Sequence, residues 1–338
     1  MTPHTAQTDP SGSTIIETRD LVREFSVRKG LSRRVVRAVD GLSLRIGAGE
    51  AVGYIGANGA GKSTTIKMLT GILVPTSGEV RTCGLDPTTR RRDLARRIGV
   101  VFGQRSQLWW DLPLRETYPI LAAIHGLSSE RERERTAELV DALDLAAFLD
   151  TPVRQLSLGQ RMRGELAAAL LHSPGLVILD EPTIGLDVLS KAQLRQFLRA
   201  ERERHGTTLL LTTHDMSDIE HLCDRVLLVD SGRLLYDGDL PSLARSMGAR
   251  RVLVVDLELP HPDLTDLSDE DGTPLAGVDL VGSEADGLRQ RLAFDTEKTS
   301  AARLLAAVTR RTDVRDLSIE EPDIEDVVRR VYASGLDT

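Results

Sequence analysis

Two rhythms of apolar residues alternate along this chain. Short, almost wholly apolar runs fall at residues 51–55, 98–102, 177–179, 207–211 and 226–229. Runs of that kind predict strands buried on both faces, as in a parallel sheet. Between them the apolar positions recur at helical spacing: Leu139, Leu143, Leu145 and Phe148 share one side and place residues 115–150 in helix. Further helices are expected over 190–204 and from Met216. Strands alternating with helices predict a three-layer α/β core. Ahead of it, residues 15–25 and 36–46 read as β-type runs joined by a basic loop, 28–34, and predict a small antiparallel sheet. Residues 75–79 carry turn chemistry before a strand at Val80. The turn at 230–233 and a strand at 234–236 end this part near Asp239.

From Leu240 the pattern changes. Strands at 252–259, 278–281, 288–294 and 314–319, a polar acidic loop at 260–274, and amphipathic helices at 300–311 and 323–332 predict a small α+β domain without a catalytic constellation. The first 13 residues, rich in Thr, Ser and Pro, are expected to be disordered. The organisation is thus 1–13, 14–239 and 240–338.

Charge sharpens that boundary. Residues 240–338 hold 12 of the 43 basic and 20 of the 51 acidic side chains, which accounts for the whole net charge of −8. A neutral body with an acidic end lacks the basic face that nucleic acid requires, so no nucleic-acid partner is expected. The runs Arg90–Arg92 and Arg131–Arg135 read as solvated helix faces. Cys83 and Cys223, 140 positions apart, form no metal or redox spacing and read as small buried residues in a reducing compartment. No apolar run reaches the ~18 residues of a membrane span, and residues 1–13 form no signal peptide. A cytoplasmic location follows, with any membrane role exercised through a spanning partner.

Chemistry gathers at residues 56–63, Gly-Ala-Asn-Gly-Ala-Gly-Lys-Ser, which fit the phosphate-loop pattern between a strand and a helix. Gly56, Gly59 and Gly61 allow successive N–H groups, with Asn58 and Thr64 in the same cradle, to turn toward one anion at a helix N-terminus. Lys62 would reach the β- and γ-phosphates, and the Ser63 hydroxyl would ligate Mg²⁺. A bare glycine-rich turn needs neither residue, so a nucleoside triphosphate is the expected ligand. At 175–181 an apolar strand ends in two acids. Asp180 stands where open α/β sheets bind ligands and would hold Mg²⁺; Glu181 can act as general base toward a water.

The stretch 156–160, Leu-Ser-Leu-Gly-Gln, opens a helix with Ser157 as its N-cap. In a chain that already has the phosphate loop and the paired acids, it resembles the signature of the ATP-binding-cassette (ABC) ATPases, usually Leu-Ser-Gly-Gly-Gln. The resemblance covers about residues 14–239 and implies a P-loop core with antiparallel β and α-helical subdomains. It also implies roles: Gln104 as the lid glutamine that senses Mg²⁺ and the γ-phosphate, Asp187 in the loop that crosses to a second subunit, and His214 as the switch histidine. Phe25 falls where the family stacks a ring on adenine, and an ordinary core Phe fits equally. In this family two subunits close head to tail over two ATP-Mg. Ser157, Gly159 and Gln160 would then face a nucleotide held by the opposite chain, in a homodimer or a heterodimer. Leu158 departs from the usual Gly; activity is expected to survive, with subunit packing slightly altered.

Residues 103–113 hold both tryptophans, Trp109 and Trp110, as core plugs or as a docking surface. Together with residues 156–163 they resemble the ATPases of ABC-2-type exporters, the viologen or multidrug branch. Residues 319–327 resemble the C-terminal appendix of drug-exporter ATPases, a regulatory or dimerising part. The resemblance implies an ATPase subunit peripheral to the inner face of the membrane that drives ABC-2-type permease subunits. A soluble ABC ATPase acting on ribosomes or DNA is the alternative.

Overall fold

A computed structural model describes residues 14–29, 32–103, 106–213, 215–246, 250–320, 327–328 and 331. Gln104, His214, residues 1–13 and most of the 323–332 segment lie outside them, as does most of the 319–327 motif. The chain divides into two units, Met1–Asp239 and Leu240–Thr338.

The first unit runs β1 (Thr14–Lys29), β2 (Ser32–Gly47), β3 (Ala51–Gly56), α1 (Lys62–Leu69), β4 (Ser77–Thr82), α2 (Arg91–Ala95), β5 (Ile98–Phe102), α3 (Leu114–His125) and α4 (Ser129–Ala142). It continues with α5 (Leu158–Leu170), β6 (Leu176–Asp180), α6 (Val188–His205), β7 (Thr208–Thr212), α7 (Met216–Leu222), β8 (Arg225–Asp230) and β9 (Arg233–Gly238). The main sheet has the order β5-β6-β7-β3-β8-β9, parallel except for the β8–β9 hairpin. Its central strands are buried residue after residue, as their unbroken apolar runs require. The second sheet, β2-β1-β4, is antiparallel.

Four sequence expectations change. Of the basic 28–34 segment, Arg28, Lys29 and residues 32–34 are in the ladder rather than in a loop: β1 and β2 stay paired out to Lys29↔Ser32, because charged side chains do not prevent a ladder whose backbone bonds are made. The turn at 75–79 is shorter, since Ser77 and Glu79 already pair with β1. Helix 115–150 is broken by Gly126, whose left-handed φ of 76° ends α3; Ser128 then caps α4. Arg135, expected in a solvated face, is 2% exposed. It lies one turn before buried Leu139, where its guanidinium bonds Glu138 (2.7 Å), Glu201 and the Leu170 carbonyl (3.3 Å). That ion pair ties α4 to α6. Arg90, Arg91 and Arg92 are exposed as expected. Burial pushes the thiols up, Cys83 to about 11 and Cys223 to about 12, so neither is a ready nucleophile.

The second unit contains α8 (Leu240–Ser246), β10 (Arg251–Leu257), β11 (Val278–Glu284), β12 (Arg289–Phe294), α9 (Ala301–Thr309) and β13 (Val314–Glu320), with the sheet order β11-β12-β10-β13. Leu253, Val255, Leu292 and Phe294 of the sheet pack on Leu304 and Val308 of α9. Gln290, fully buried, accepts from Leu264 N (2.8 Å) and donates to the carbonyls of His261, Pro262 and Gly287. This satisfied amide pins the acidic loop to the sheet.

Candidate functional site: a phosphate cleft and a separate signature face

The cleft forms at the C-terminal edge of the parallel sheet, about 570 Å³ in volume. Residues 57–64, Asp180 and Glu181 line it, with Ala38, Lys67, Ile72, Phe102, Gly103 and Ile184 at its walls. Its floor is the loop between β3 and α1. Gly59 and Gly61 hold left-handed φ of 89° and 98°, and a Cβ on Gly61 would lie 2.3 Å from the Ala38 carbonyl oxygen. Only glycine fits there. Gly56 is equally confined, its absent Cβ 2.6 Å from the Val229 oxygen. Gly61 caps α1 without a side chain, so the N–H groups of the first turn remain available to an anion.

Lys62 Nζ bonds the loop's own carbonyls, Gly56 O at 2.5 Å and Ala57 O at 3.2 Å. Burial lowers its pKa, against the charges of Glu181 and Asp180 that raise it. Asp180 ends β6, and Thr212 at the end of β7 donates to its Oδ1 at 2.5 Å. The next residue, Glu181, has a φ of 56°, which is strained for a side chain of this kind. The kink turns Glu181 off the line of Asp180, while its N–H is held by Thr212 O at 2.9 Å. Two adjacent acids thus serve one cleft from different directions.

Several residues of the surrounding shell were not foreseen. Tyr54 OH donates to Thr65 Oγ1 beneath α1 (3.1 Å). Buried Asp218 accepts from Thr183 (2.5 Å), Arg195 (2.7 Å) and Thr213 (3.5 Å), tying the loop after Glu181 to the strand end before residue 214. A carboxylate in a short polar helix gives no sequence signal for such a hub. The structure does not bring Phe25 to the cleft lining; the Arg23 guanidinium stands 4.7 Å from its ring centroid.

Ser157, Gly159, Gln160 and Asp187 do not line this cleft either. Ser157 Oγ accepts from Gln160 N (3.2 Å) while Gln160 Oε1 accepts from Ser157 N (2.9 Å), a closed capping box at the start of α5. Ser157 Oγ still has its own O–H to donate, whereas the Gln160 carbonyl is committed to the cap. Asp187 caps α6 through Ser190 (2.8 and 3.0 Å), and those bonds lower its pKa. The two caps meet: Leu158 Cδ2 occupies the place a Cβ on Gly185 would take, and Gly159 faces Leu186.

Comparison with known proteins turns on this arrangement. Residues 39–184 match the family model described as ABC transporter. The NatA ABC transporter ATP-binding protein of Bacillus subtilis is 33% identical over 232 residues, 69% of this chain and 92% of that protein. The chain belongs to the ABC transporter ATP-binding proteins. The daunorubicin resistance ATP-binding protein DrrA3 of Streptomyces coeruleorubidus is 32% identical over 296 residues, 86% of this chain and 90% of that protein, so the match outruns the first unit. A dimeric ATP-binding cassette solved in a post-hydrolysis state with ADP and phosphate superposes with a TM-score of 0.58 at 26% identity, over 66% of this chain and 98% of that one. This ABC transporter subunit binds and hydrolyses ATP; none of these relatives points to ribosomes or DNA. ABC ATPases of this kind dimerise and work with membrane permease subunits. No helix among the described residues is long and apolar enough to cross a membrane.

Proposed function

We propose that this cassette closes head to tail with a second one over two ATP-Mg, and that closure drives an ABC-2-type permease in small-molecule efflux at the inner face of the cell membrane. The observation that carries the reading is the division of the site. The phosphate loop, Asp180 and Glu181 share a cleft, while the capped signature helix presents Ser157 and Gly159 elsewhere. A γ-phosphate bound in the cleft therefore takes its remaining donors from another chain. Ser63 and Asp180 are hard oxygen donors at one edge of the cleft, the set that Mg²⁺ prefers. The ion would neutralise charge developing on the β- and γ-phosphate oxygens. Glu181 accepts the proton of the attacking water, Lys62 holds the phosphates, and the loop N–H groups fix their position. Trp109 and Trp110 are 39% and 53% exposed and suit docking against the permease. The acidic second unit is assigned to steadying or regulating the dimer.

Glu181→Gln tests this assignment. It should retain ATP, lose turnover by a factor on the order of 10²–10⁴, and form an ATP-dependent dimer visible by light scattering. Normal hydrolysis by that variant would remove Glu181 as the base. Purification from membranes with no bound polytopic protein would overturn the permease.

A further inference from the structure

The signature helix does more than present its N-terminus. One and two turns along α5, at the i, i+4 pair Arg161 and Glu165, it grips the segment that carries both tryptophans. Glu165 is 5% exposed, and the chemistry of the cleft makes no use of it. Its Oε1 accepts from the Ser106 hydroxyl, its Oε2 from Gln107 N at 3.2 Å, and its backbone carbonyl from Gln107 Nε2 at 3.2 Å. One turn earlier, the Arg161 guanidinium stands 5.9 Å from the Trp110 ring centroid. The remaining face of the segment is tied to the approach to the signature, with Arg154 N donating to Trp110 O at 2.9 Å. Burial raises the pKa of Glu165, opposed by the bonds from Ser106 and Gln107 and by the charge of Arg161. A buried acid with its bonds all directed at one loop is expensive unless that loop must be held. Beside it lies a cavity of about 230 Å³ bounded by Phe102, Trp110, Arg161 and Met162. The anchoring pair Ser106 and Glu165 lines the same cavity.

We propose that Glu165 is a positioning residue that makes the Trp109–Trp110 surface move with the signature helix, so that engagement of Ser157 by nucleotide is reported at the face offered to the membrane partner. The inference rests on the proposed two-chain site. By linkage the reverse also holds: whatever seats on the tryptophans biases the signature.

Intrinsic fluorescence reads the loop directly, because the protein has only these two tryptophans. In a Glu181→Gln background, ATP-Mg should shift the emission maximum and the acrylamide quenching of the pair. Adding Glu165→Ala should abolish that response while ATP affinity, measured with a fluorescent nucleotide, and ATP-dependent dimerisation persist. A merely structural role would lower affinity and dimerisation together with the signal. Should Glu165→Ala fold poorly, Ser106→Ala with Gln107→Ala removes the two side-chain bonds from the loop side, leaving only the Gln107 N–H to Glu165, and should weaken the tryptophan response strongly. A response that survives in both variants overturns the inference, as does a trapped dimer with no emission change. Absence of any ATP-dependent dimer would instead overturn the two-chain site.

Discussion

In the phosphate cleft the backbone is the working part: Gly59, Gly61 and Glu181 all hold left-handed φ. On the signature face side chains cap the starts of α5 and α6, left-handed φ falls on a glycine, Gly185, and apolar side chains stand out into solvent. Leu158 is 39% exposed, Leu189 69% and Val188 86%. A row of large apolar groups around two helix caps is unusual for a finished surface. The strained residue, Glu181, lies in the cleft, and the exposed apolar groups lie around the two caps.

Lys62→Ala attacks the cleft. It removes charge-assisted bonds worth about 1.5–3 kcal/mol each, so ATP affinity should fall by roughly two orders of magnitude or more in titration calorimetry. If affinity held, the cradle alone would suffice and the lysine would be a loop strut, as its bonds to Gly56 and Ala57 show it already is.

The presented half depends on the buried end of its helix. Past α5, His172 stacks on His125 with ring centroids 3.8 Å apart, and neither Nδ1 has a partner among the described residues. Burial and the neighbouring ring push the His172 pKa down to about 4, from the 6.5 it has when unfolded. The unfolded chain thus binds the extra proton first, so stability is full above pH 6.5 and declines as pH falls through the interval down to about 4. At about 1.4 kcal/mol per pKa unit, the loss is on the order of 3 kcal/mol. Urea unfolding at several pH values should show that limb, and His172→Phe should flatten it.

Ser157→Ala should separate the halves most directly. Loss of the cap costs about 1 kcal/mol of stability, and loss of the hydroxyl donor should lower turnover about tenfold or more while ATP binding in the variant's own cleft is unchanged. Equal losses in affinity and turnover would place the signature in its own chain's site. The smallest effect is expected from Leu158→Gly, which clears the contact over Gly185. Turnover should change by less than about threefold, with dimerisation weakened slightly by the lost apolar area.

Much of this was legible from the residue string because it is local. The phosphate loop, the acids ending a strand and the Ser157 cap are each written in a run of eight residues or fewer, so pattern and spacing carry them. Arg135 shows the limit: its charge reads as solvent, and only its position one turn before Leu139 hints at the interior. Asp218 and Glu165 give no such hint. Each is an acid on a helix, and its value comes from partners 35 and 59 positions away.

What the sequence determined by itself, then, is the set of groups available: a glycine-rich loop with Lys62 and Ser63, two acids ending a strand, and a capped Leu-Ser-Leu-Gly-Gln helix start. Only the tertiary structure decided their division: the phosphate loop, Asp180 and Glu181 line one cleft, and Ser157 and Gly159 are not part of that lining. The reason is geometric. Strand order in a parallel sheet sets which strand ends share an edge, and the packing of α5 on β5 and α3 sets where its N-terminus points. No local pattern encodes either.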